Sequence, residues 1–352
     1  MIATERHLLQ VMYESGARHS QAELVELTGL SQPSVSRVLK RLERSGMLHI
    51  WLVRHAHAGR PTRLYALRPE KCYFAGVVAD DTGLEITLLD FNGDNVRLNH
   101  RGQLAIYRTL PKAHDFALVG TLSQYLESWL QSRPVRARLL QLCLIDLRTP
   151  SRWSSLAGPF RETPDRLAER LRDALRTEVC IASLSQATAL MAIKMYAALR
   201  GRTLLSVWLD RQPEIAVLMP GLYRQPVTSP DGFTEPHSFG VLATSLPDWI
   251  FDVENSPKSS QAAKGQQWID KLAFDTQVLV LSHFDPAVPV SCVIGGVLRE
   301  EVIEGVASSV RSAVRERRPE IRGHLVEGLM TDPREIGRLA AVAASGMIFC
   351  TV

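Results

Sequence analysis

Two helix starts lie close together in residues 20–67, and they restrict the fold more than any other feature of the sequence. The first is Ser20-Gln-Ala-Glu, where a Ser precedes a Glu by three residues, as in a capping box. The second is Ser31-Gln-Pro-Ser, a capping residue followed by Pro in the first helical turn. Gly29 stands between them, where a sharp turn is needed. Two short helices joined by a glycine turn predict a helix-turn-helix.

The second of these helices is amphipathic, and two strand-like runs follow it. Its apolar residues recur at helical spacing and are Val35, Val38, Leu39 and Leu42. From the preceding helix we expect Leu24, Val25 and Leu27 to join the same core. Residues 47–53 and 62–67 are typical of strands, and the basic segment between them contains Gly and Pro. This order predicts a winged helix-turn-helix, preceded by a helix over residues 4–14.

Positive charge is concentrated in the same part of the chain. The 352 residues include 41 Lys and Arg and 37 Asp and Glu, for a net charge of +4. Residues 1–68 hold ten of the 41 basic and five of the 37 acidic residues, a balance of +5. The remaining 31 basic and 32 acidic residues therefore sum to −1. A basic N-terminal part joined to a nearly neutral remainder is expected of a protein that binds a polyanion at one end.

The second helix carries residues suited to duplex DNA, because in helix-turn-helix domains this helix enters the major groove. We predict base or near-base contacts for Gln32, Ser34 and Arg37, since Gln can pair with adenine and Arg with guanine. The residues predicted to contact phosphates are Ser31, Ser36, Lys40 and Arg41. The alternative is a solvated helix face, but the turn, the caps and the wing around these residues favour nucleic-acid binding.

The tip of the predicted wing reads Gly59-Arg60-Pro61. Gly allows the backbone to approach a ligand closely, and Pro stiffens the chain beside the Arg. We predict that Gly59 and Arg60 contact a narrow, A·T-rich minor groove, although an ordinary hairpin turn would use the same residues. His55 and His57 lack a third metal ligand nearby, so we interpret them as solvated loop residues.

The remaining sequence predicts an α/β body made of two similar cycles. In the first cycle, strands are expected at 73–79, 84–90, 95–101, 139–145 and 179–182, and helices at 114–131, 164–176 and 185–199. In the second cycle, strands are expected at 204–209, 215–219, 290–294 and 324–326, with helices ending near 317 and starting at 333. We therefore divide the chain into a head (1–68), a first lobe (73–200) and a second lobe (201–352).

Composition excludes some classes of protein. An apolar fraction of 45% is enough for a soluble core, and no run of 18 apolar residues predicts a membrane span. The first residues lack the pattern of a signal peptide. The five cysteines are dispersed, which favours reduced core thiols in a cytoplasmic protein over disulfides.

The chain resembles a family on specific segments. The head with its Gly59-Arg60-Pro61 wing, followed by Tyr73-Phe-Ala-Gly-Val and Leu88-Leu-Asp-Phe-Asn-Gly, is similar to ROK-family transcriptional regulators. Weaker similarity continues at Val293-Ile-Gly-Gly-Val and Ile336-Gly-Arg-Leu-Ala-Ala. The resemblance implies a winged helix joined to a two-lobed sugar-kinase-like body of the actin/hexokinase (ribonuclease H-like) fold.

The body departs from the kinase pattern of that family at its chemical positions. Where the family has a glycine-rich phosphate hairpin, this chain reads Val78-Ala79-Asp80-Asp81-Thr82, whose carboxylates repel phosphate. Where the family has Asn-Asp-Ala-Asn with Asp as the base, this chain reads Ser183-Leu184-Ser185-Gln186, and Leu184 accepts no proton. The second phosphate turn reads Trp208-Leu-Asp-Arg-Gln212 and has no glycine. Only Gly295-Gly296 matches the nucleotide-side glycines.

The resemblance also bears on metals and sugars. The family's zinc site uses a His and three closely spaced cysteines, but no cysteine lies between Cys180 and Cys292, so we expect no zinc and no other cofactor. Glu235 and His237 are the remaining candidates for an effector site, because they resemble the family's Glu-x-Gly-His segment with a different spacing. They could equally be surface loop residues.

These observations favour a DNA-binding transcriptional regulator that is not an enzyme. We expect a repressor that binds operator DNA as a homodimer or homotetramer, with the body used for oligomerisation and for sensing a sugar or sugar-derived effector. The alternatives are an ATP-dependent sugar kinase with a DNA-binding head, and an architectural DNA-binding protein that senses no ligand.

Overall fold

Three helices and three short strands form the N-terminal part of the chain. The helices are α1 (Ala3–Ser15), α2 (Gln21–Thr28) and α3 (Gln32–Arg44), and the strands are β1 (His19–Ser20), β2 (Leu48–Val53) and β3 (Thr62–Leu67). The strands pair antiparallel in the order β1-β3-β2, with Ile50 opposite Tyr65 in the ribbon. The predicted helix-turn-helix and strand pair are thereby confirmed.

The structure is a computed structural model. It describes residues 3–53, 61–80, 83–99, 101–109, 115–133, 137–147, 164–199, 202–209, 214–218, 270, 273–274, 276–277, 290–317, 326–330 and 336–349. The chain divides into two compact units, one formed by Met1–Ile181 with Ala340–Cys350 and the other by Ala182–Leu339. The three-part division at residues 1–68, 73–200 and 201–352 stays a prediction.

The core of the N-terminal part is built from one apolar stripe on each helix. The fully buried members are Leu8, Leu9, Met12, Leu24, Val35, Val38, Leu39 and Leu42. The expectation for Leu27 was wrong, because its side chain is 53% exposed. Leu24 and Thr28, one turn apart, take the inward face of α2, and this helix is too short to bury a second row.

The first unit also contains a five-stranded sheet. Its strands are β4 (Cys72–Ala79), β5 (Gly83–Asp90), β6 (Ala105–Thr109), β7 (Arg138–Asp146) and β8 (Glu178–Ile181), in the order β6-β5-β4-β7-β8. Strands β6, β5 and β4 are antiparallel, while β4, β7 and β8 are parallel. Helices α4 (Asp115–Gln131) and α5 (Pro164–Leu175) bury one face of this sheet.

The third strand of the predicted meander lies in a different place. Of the predicted strand 95–101, the described residues 95–99 and 101 form no strand apart from a single bridge between Asn95 and Leu89, and β6 starts at Ala105. The reason is a turn in which Asn99 Oδ1 accepts hydrogen bonds from the amides of Arg101 (3.0 Å) and Gln103 (3.2 Å). An Asn side chain that bonds to the following backbone competes with strand pairing.

The second unit holds a four-stranded sheet. Its strands are β9 (Thr203–Leu209), β10 (Glu214–Leu218), β11 (Val290–Gly296) and β12 (Val326–Met330), in the order β10-β9-β11-β12. Helix α6 (Leu184–Met195) packs on β9 and β10, and α7 (Glu300–Arg317) packs on β11 and β12. The last helix is α8 (Ile336–Phe349).

The observed elements confirm the predicted fold class, which is a mixed α/β chain with a winged helix at its start. Within the described ranges, no helix is both long enough and apolar enough to cross a membrane.

Candidate nucleic-acid interface

Helix α2 starts with a complete capping box. The amide of Glu23 donates to Ser20 Oγ (3.3 Å), and the amide of Ser20 donates to Glu23 Oε2 (2.7 Å). The hydrogen bond from the Ser20 amide lowers the pKa of the Glu23 carboxyl. At the other end Gly29 has φ +64°, and its amide donates to the Val25 carbonyl. This left-handed residue ends α2 and turns the chain into α3.

Helix α3 starts differently, because Ser31 makes no side-chain cap hydrogen bond. Its hydroxyl instead lies 2.9 Å from the Ser34 hydroxyl, and Pro33 occupies the first turn. Among the described residues, no side chain therefore caps the positive end of α3. Such an end is suited to a phosphate group, which backbone amides and the helix dipole both attract.

The two faces of α3 differ sharply in polarity. One stripe is buried in the core, and the opposite stripe consists of exposed residues three or four positions apart, namely Arg37, Lys40, Arg41 and Arg44. Arg37 and Lys40 have no hydrogen-bond or ion-pair partner within the described residues. At 13 residues the helix is about 20 Å long, a length that fits along a major groove.

Two ion pairs join α3 to its neighbours. Arg41 Nη1 lies 3.1 Å from Glu5 Oε2 on α1, where the Glu5 carboxylate is largely buried and the Arg41 side chain is about half exposed. Glu43 pairs with Arg63 of β3 at 3.8 Å, and both side chains are exposed. The first pair occupies a residue for which we predicted a phosphate contact, so Arg41 has to share its guanidinium between Glu5 and any phosphate.

A groove of about 740 Å³ separates the helix-turn-helix from the ribbon. Its lining includes the start of α2 at Ser20 and Gln21, the start of α3 at Gln32, and Thr62 and Arg63 of β3. Gln21, Thr62 and Arg63 were missed by the sequence reasoning. For Arg63 the signal was available, because it is a basic residue beside the basic wing segment.

The structure brings seven of the predicted DNA-contacting residues together on one element. They are Ser31 at the cap of α3 and Gln32, Ser34, Ser36, Arg37, Lys40 and Arg41 within it. Ser34 and Ser36 are half-buried, while the other five are exposed. Gly59 and Arg60 lie outside the described residues, as do the effector candidates Glu235 and His237.

The body positions related to phosphate chemistry have ordinary structural partners. Asp80 Oδ1 accepts hydrogen bonds from the Gly83 amide (2.8 Å) and the Tyr107 hydroxyl (3.2 Å), which places a carboxylate in the turn between β4 and β5. At the start of α6, Ser183 and Gln186 form a capping box, and Leu184 is 2% exposed. A buried leucine between two capping residues offers no group that could accept a proton.

Gly296 at the end of β11 is needed for packing. A Cβ atom at this position would lie 2.2 Å from the carbonyl oxygen of Leu209, its neighbour on β9. The close approach of two parallel strands therefore accounts for the glycine without a nucleotide. Among the described residues, no group of three His, Cys, Asp or Glu side chains could hold a metal ion.

These features define a winged helix-turn-helix, the class of domain that places its second helix in the major groove of duplex DNA. The sequence model of the MarR family matches residues 2–60, which places a MarR-type winged helix at the start of the chain.

The chain is similar in fold to a ROK-family transcriptional regulator. A crystal structure of such a regulator, described as a homolog of the E. coli MLC protein, matches over 98% of both chains with a TM-score of 0.63 at 14% identity. The ROK hexokinase from Thermus thermophilus covers 78% of this chain and 98% of its own (TM-score 0.45, 16% identity). Glucokinase from Parabacteroides distasonis covers 80% and 99% (TM-score 0.49, 12% identity). No curated protein matches the sequence.

Proposed function

We propose that the chain is a DNA-binding transcriptional regulator that represses its targets. One observation carries this proposal, namely the exposed basic stripe of α3, which a buried apolar stripe holds against the rest of the domain. Arg37 and Lys40 on that stripe are free to contact DNA. The uncapped start of α3 adds a further site for a phosphate.

The groove between α3 and the ribbon supports a second contact. Arg63 lines this groove, and the wing tip with Gly59 and Arg60 follows in the sequence between β2 and β3. We propose that α3 enters the major groove while the wing approaches the adjacent minor groove. A single head of this size binds DNA with modest affinity. We therefore propose a homodimer or homotetramer, in which two heads bind two half-sites of the operator.

We propose that the body does not transfer phosphate. Asp80 places negative charge in the turn that resembles a phosphate hairpin, and Leu184 stands where the family has its catalytic base. Phosphoryl transfer depends on positioned cations and donors around the phosphate, and a carboxylate there opposes it. The body would then serve oligomerisation and the sensing of a sugar-like effector, with Glu235 and His237 as candidates, in a cytoplasmic protein.

The experiment that tests DNA binding starts from selection of a bound sequence out of a random pool by the full-length chain. Affinity for the selected duplex is then measured by fluorescence anisotropy at several salt concentrations. We expect a linear fall of log K with log salt, with a slope of about −0.9 per phosphate contacted. Failure to enrich any sequence, together with salt-independent binding, would overturn the proposal.

Two other functions remain as alternatives with their own tests. Turnover of ATP with any sugar in a coupled assay, abolished by a substitution in the body, would favour a kinase. A thermal midpoint that stays constant with every sugar and sugar phosphate would favour an architectural protein, because a ligand that binds only the native state raises that midpoint.

A further inference from the structure

A polar cleft of about 560 Å³ lies in the first unit between the edge strand β6, the turn before it and helix α4. Its lining includes Asn99, Gln103, Arg108, Tyr125, Trp129 and Ser132. None of the described residues that line it is acidic. The cleft therefore combines a guanidinium with amide, hydroxyl and aromatic groups.

Arg108 lines this cleft, Arg133 stacks on the lining residue Trp129, and both arginines are held by aromatic rings. The Arg108 guanidinium lies 5.0 Å from the centroid of the Tyr125 ring, and that of Arg133 lies 3.8 Å from the Trp129 ring. Tyr73 packs edge to face on Trp129 at 4.9 Å and fixes that ring in turn. Within the described residues, neither arginine forms an ion pair. A guanidinium stacked on a ring keeps its N–H groups directed outward and available to an anion.

Three donors at or next to this cleft have no acceptor among the described residues. Trp129 is 5% exposed, and its Nε1 has no hydrogen-bond partner among the described residues. The Tyr125 hydroxyl and Arg133 Nε are in the same situation. Burial raises the pKa of Tyr125, against the opposing effect of the two arginines, so its hydroxyl stays a donor. Buried polar groups are nearly always paired, and three unpaired donors around one cleft point to an acceptor from outside.

We propose that this cleft binds a small organic dianion, either a phosphate monoester or a dicarboxylate. Arg108 in the cleft and Arg133 beside it, which have no carboxylate partner among the described residues, match two negative charges, and the unpaired donors match oxyanion lone pairs. The amides of Asn99 and Gln103 can bond to further polar groups of the ligand. The cleft has the size of ordinary small-molecule sites. Arg108 is exposed, so its side chain can adjust as the ligand enters. This site is separate from the DNA interface, and its test needs no DNA.

The test is isothermal titration calorimetry of the full-length chain with two pairs of probes. Glycerol 3-phosphate is compared with glycerol, and succinate with succinamide, so that each anion has a neutral counterpart. We expect saturable heat from at least one anion and from neither neutral compound. The anion that binds more tightly shows whether the cleft prefers a phosphate monoester or a dicarboxylate. Equal binding of anions and neutral counterparts, or no heat from either anion at millimolar concentrations, overturns the proposal.

Variants then locate the site. Arg108→Gln should weaken binding by about tenfold or more, because a charge-assisted hydrogen bond is lost. Tyr125→Phe, which keeps the ring and removes only the hydroxyl, should weaken it several-fold. Arg315→Gln removes another exposed arginine, on α7, and should leave the affinity unchanged. Circular dichroism checks that each variant is folded. Binding that is the same in Arg108→Gln and in the unchanged chain rules out this cleft.

Discussion

Tyr13 of α1 and Phe74 of β4 meet edge to face, with ring centroids 5.7 Å apart and ring planes at 71°. Both side chains are buried, and the ring centroid of Phe74 also lies 6.3 Å from that of Phe91. The Tyr13 hydroxyl is also hydrogen-bonded with the buried Ser345 of α8. The first helix of the winged domain is therefore packed onto the first strand of the body. A substitution that changes the packing of this sheet at Phe74 therefore also changes a contact of α1.

We expect Tyr13 and Phe74 to be energetically coupled. In a double-mutant cycle with Tyr13→Leu and Phe74→Leu, the two single variants should lose more stability in sum than the double variant. The coupling should be about 0.5–1.5 kcal/mol, the usual value for an edge-to-face pair beyond its buried area. Urea denaturation measures it. Additive losses would show that the two rings are neighbours without interaction.

The pH dependence of stability offers a second test of the same contact. Burial raises the pKa of Tyr13 from 10.0 to about 12. Below pH 10 both the folded and the unfolded chain keep this proton, so Tyr13 adds no pH dependence. Between pH 10 and about 12 the unfolded chain releases the proton and the folded chain keeps it, so the free energy of unfolding falls with rising pH.

The loss from Tyr13 should approach roughly 1.4 kcal/mol per pH unit in that window. Tyr13→Phe keeps the ring and removes the titrating group, so it isolates this contribution from the other groups that titrate there. We expect its unfolding free energy to fall less steeply above pH 10 than that of the unchanged chain. Parallel curves for the two proteins would show that Tyr13 titrates normally in the folded state.

Local sequence signals predicted much of the winged domain. The capping box at Ser20, the turn at Gly29 and the buried stripe of α3 were all evident, because each depends on residues at most a few positions apart. Strands β2 to β5 were predicted to within two residues at each end for the same reason. The strand expected at 95–101 failed because the side chain of Asn99 bonds to the backbone ahead of it.

Contacts between distant parts of the chain were not predictable. Nothing in the sequence near Tyr13 indicates Phe74 or Ser345 as a partner, since these pairings depend on how whole elements pack. The ion pair between Arg41 and Glu5 was missed for the same reason, and so was the pairing of Arg63 with Glu43. The sequence of α3 was enough to name the candidate DNA-contacting residues. It did not show that a carboxylate from another element would compete with DNA for Arg41.

Arg37 and Lys40 should affect DNA binding in different ways. Arg37→Ala should cost about 1–3 kcal/mol of binding free energy and relax specificity at one base pair, if Arg37 contacts a base edge. Lys40→Ala should weaken binding evenly across sequences and reduce the salt slope by about one. A sequence-resolved binding assay at two salt concentrations separates the two effects. If both variants weaken binding evenly across sequences, neither residue reads a base.

Glu5 should restrain Arg41, and removing its charge should strengthen DNA binding. Glu5→Gln keeps the size of the side chain but removes the partner charge 3.1 Å from Arg41, so the guanidinium becomes available to a phosphate. We expect tighter binding at low salt, together with a small loss of stability. Arg41→Gln should weaken binding. If Glu5→Gln leaves affinity unchanged at low salt, Arg41 does not contact the duplex.

Two glycine substitutions should change stability in opposite directions. A Cβ at Gly296 would lie 2.2 Å from the Leu209 carbonyl oxygen. This oxygen belongs to the backbone of β9, so it cannot move away unless the strand moves with it. Gly296→Ala should therefore cost roughly 1–3 kcal/mol or more, as overpacked cores do. Gly120 in α4 has nothing within 4 Å of an added Cβ, so Gly120→Ala should stabilise by about 0.5–1 kcal/mol.

The comparison decides what the glycine at the end of β11 is for. If Gly296 serves strand packing, Gly296→Ala destabilises the chain in urea denaturation whether or not a nucleotide is present, and the addition of ATP shifts the midpoint of neither protein. If it serves a nucleotide, ATP raises the midpoint of the unchanged chain, and Gly296→Ala abolishes that increase. The 2.2 Å between a Cβ placed on Gly296 and the Leu209 carbonyl oxygen favours the first outcome, because the pairing of the two strands by itself leaves no room for a side chain.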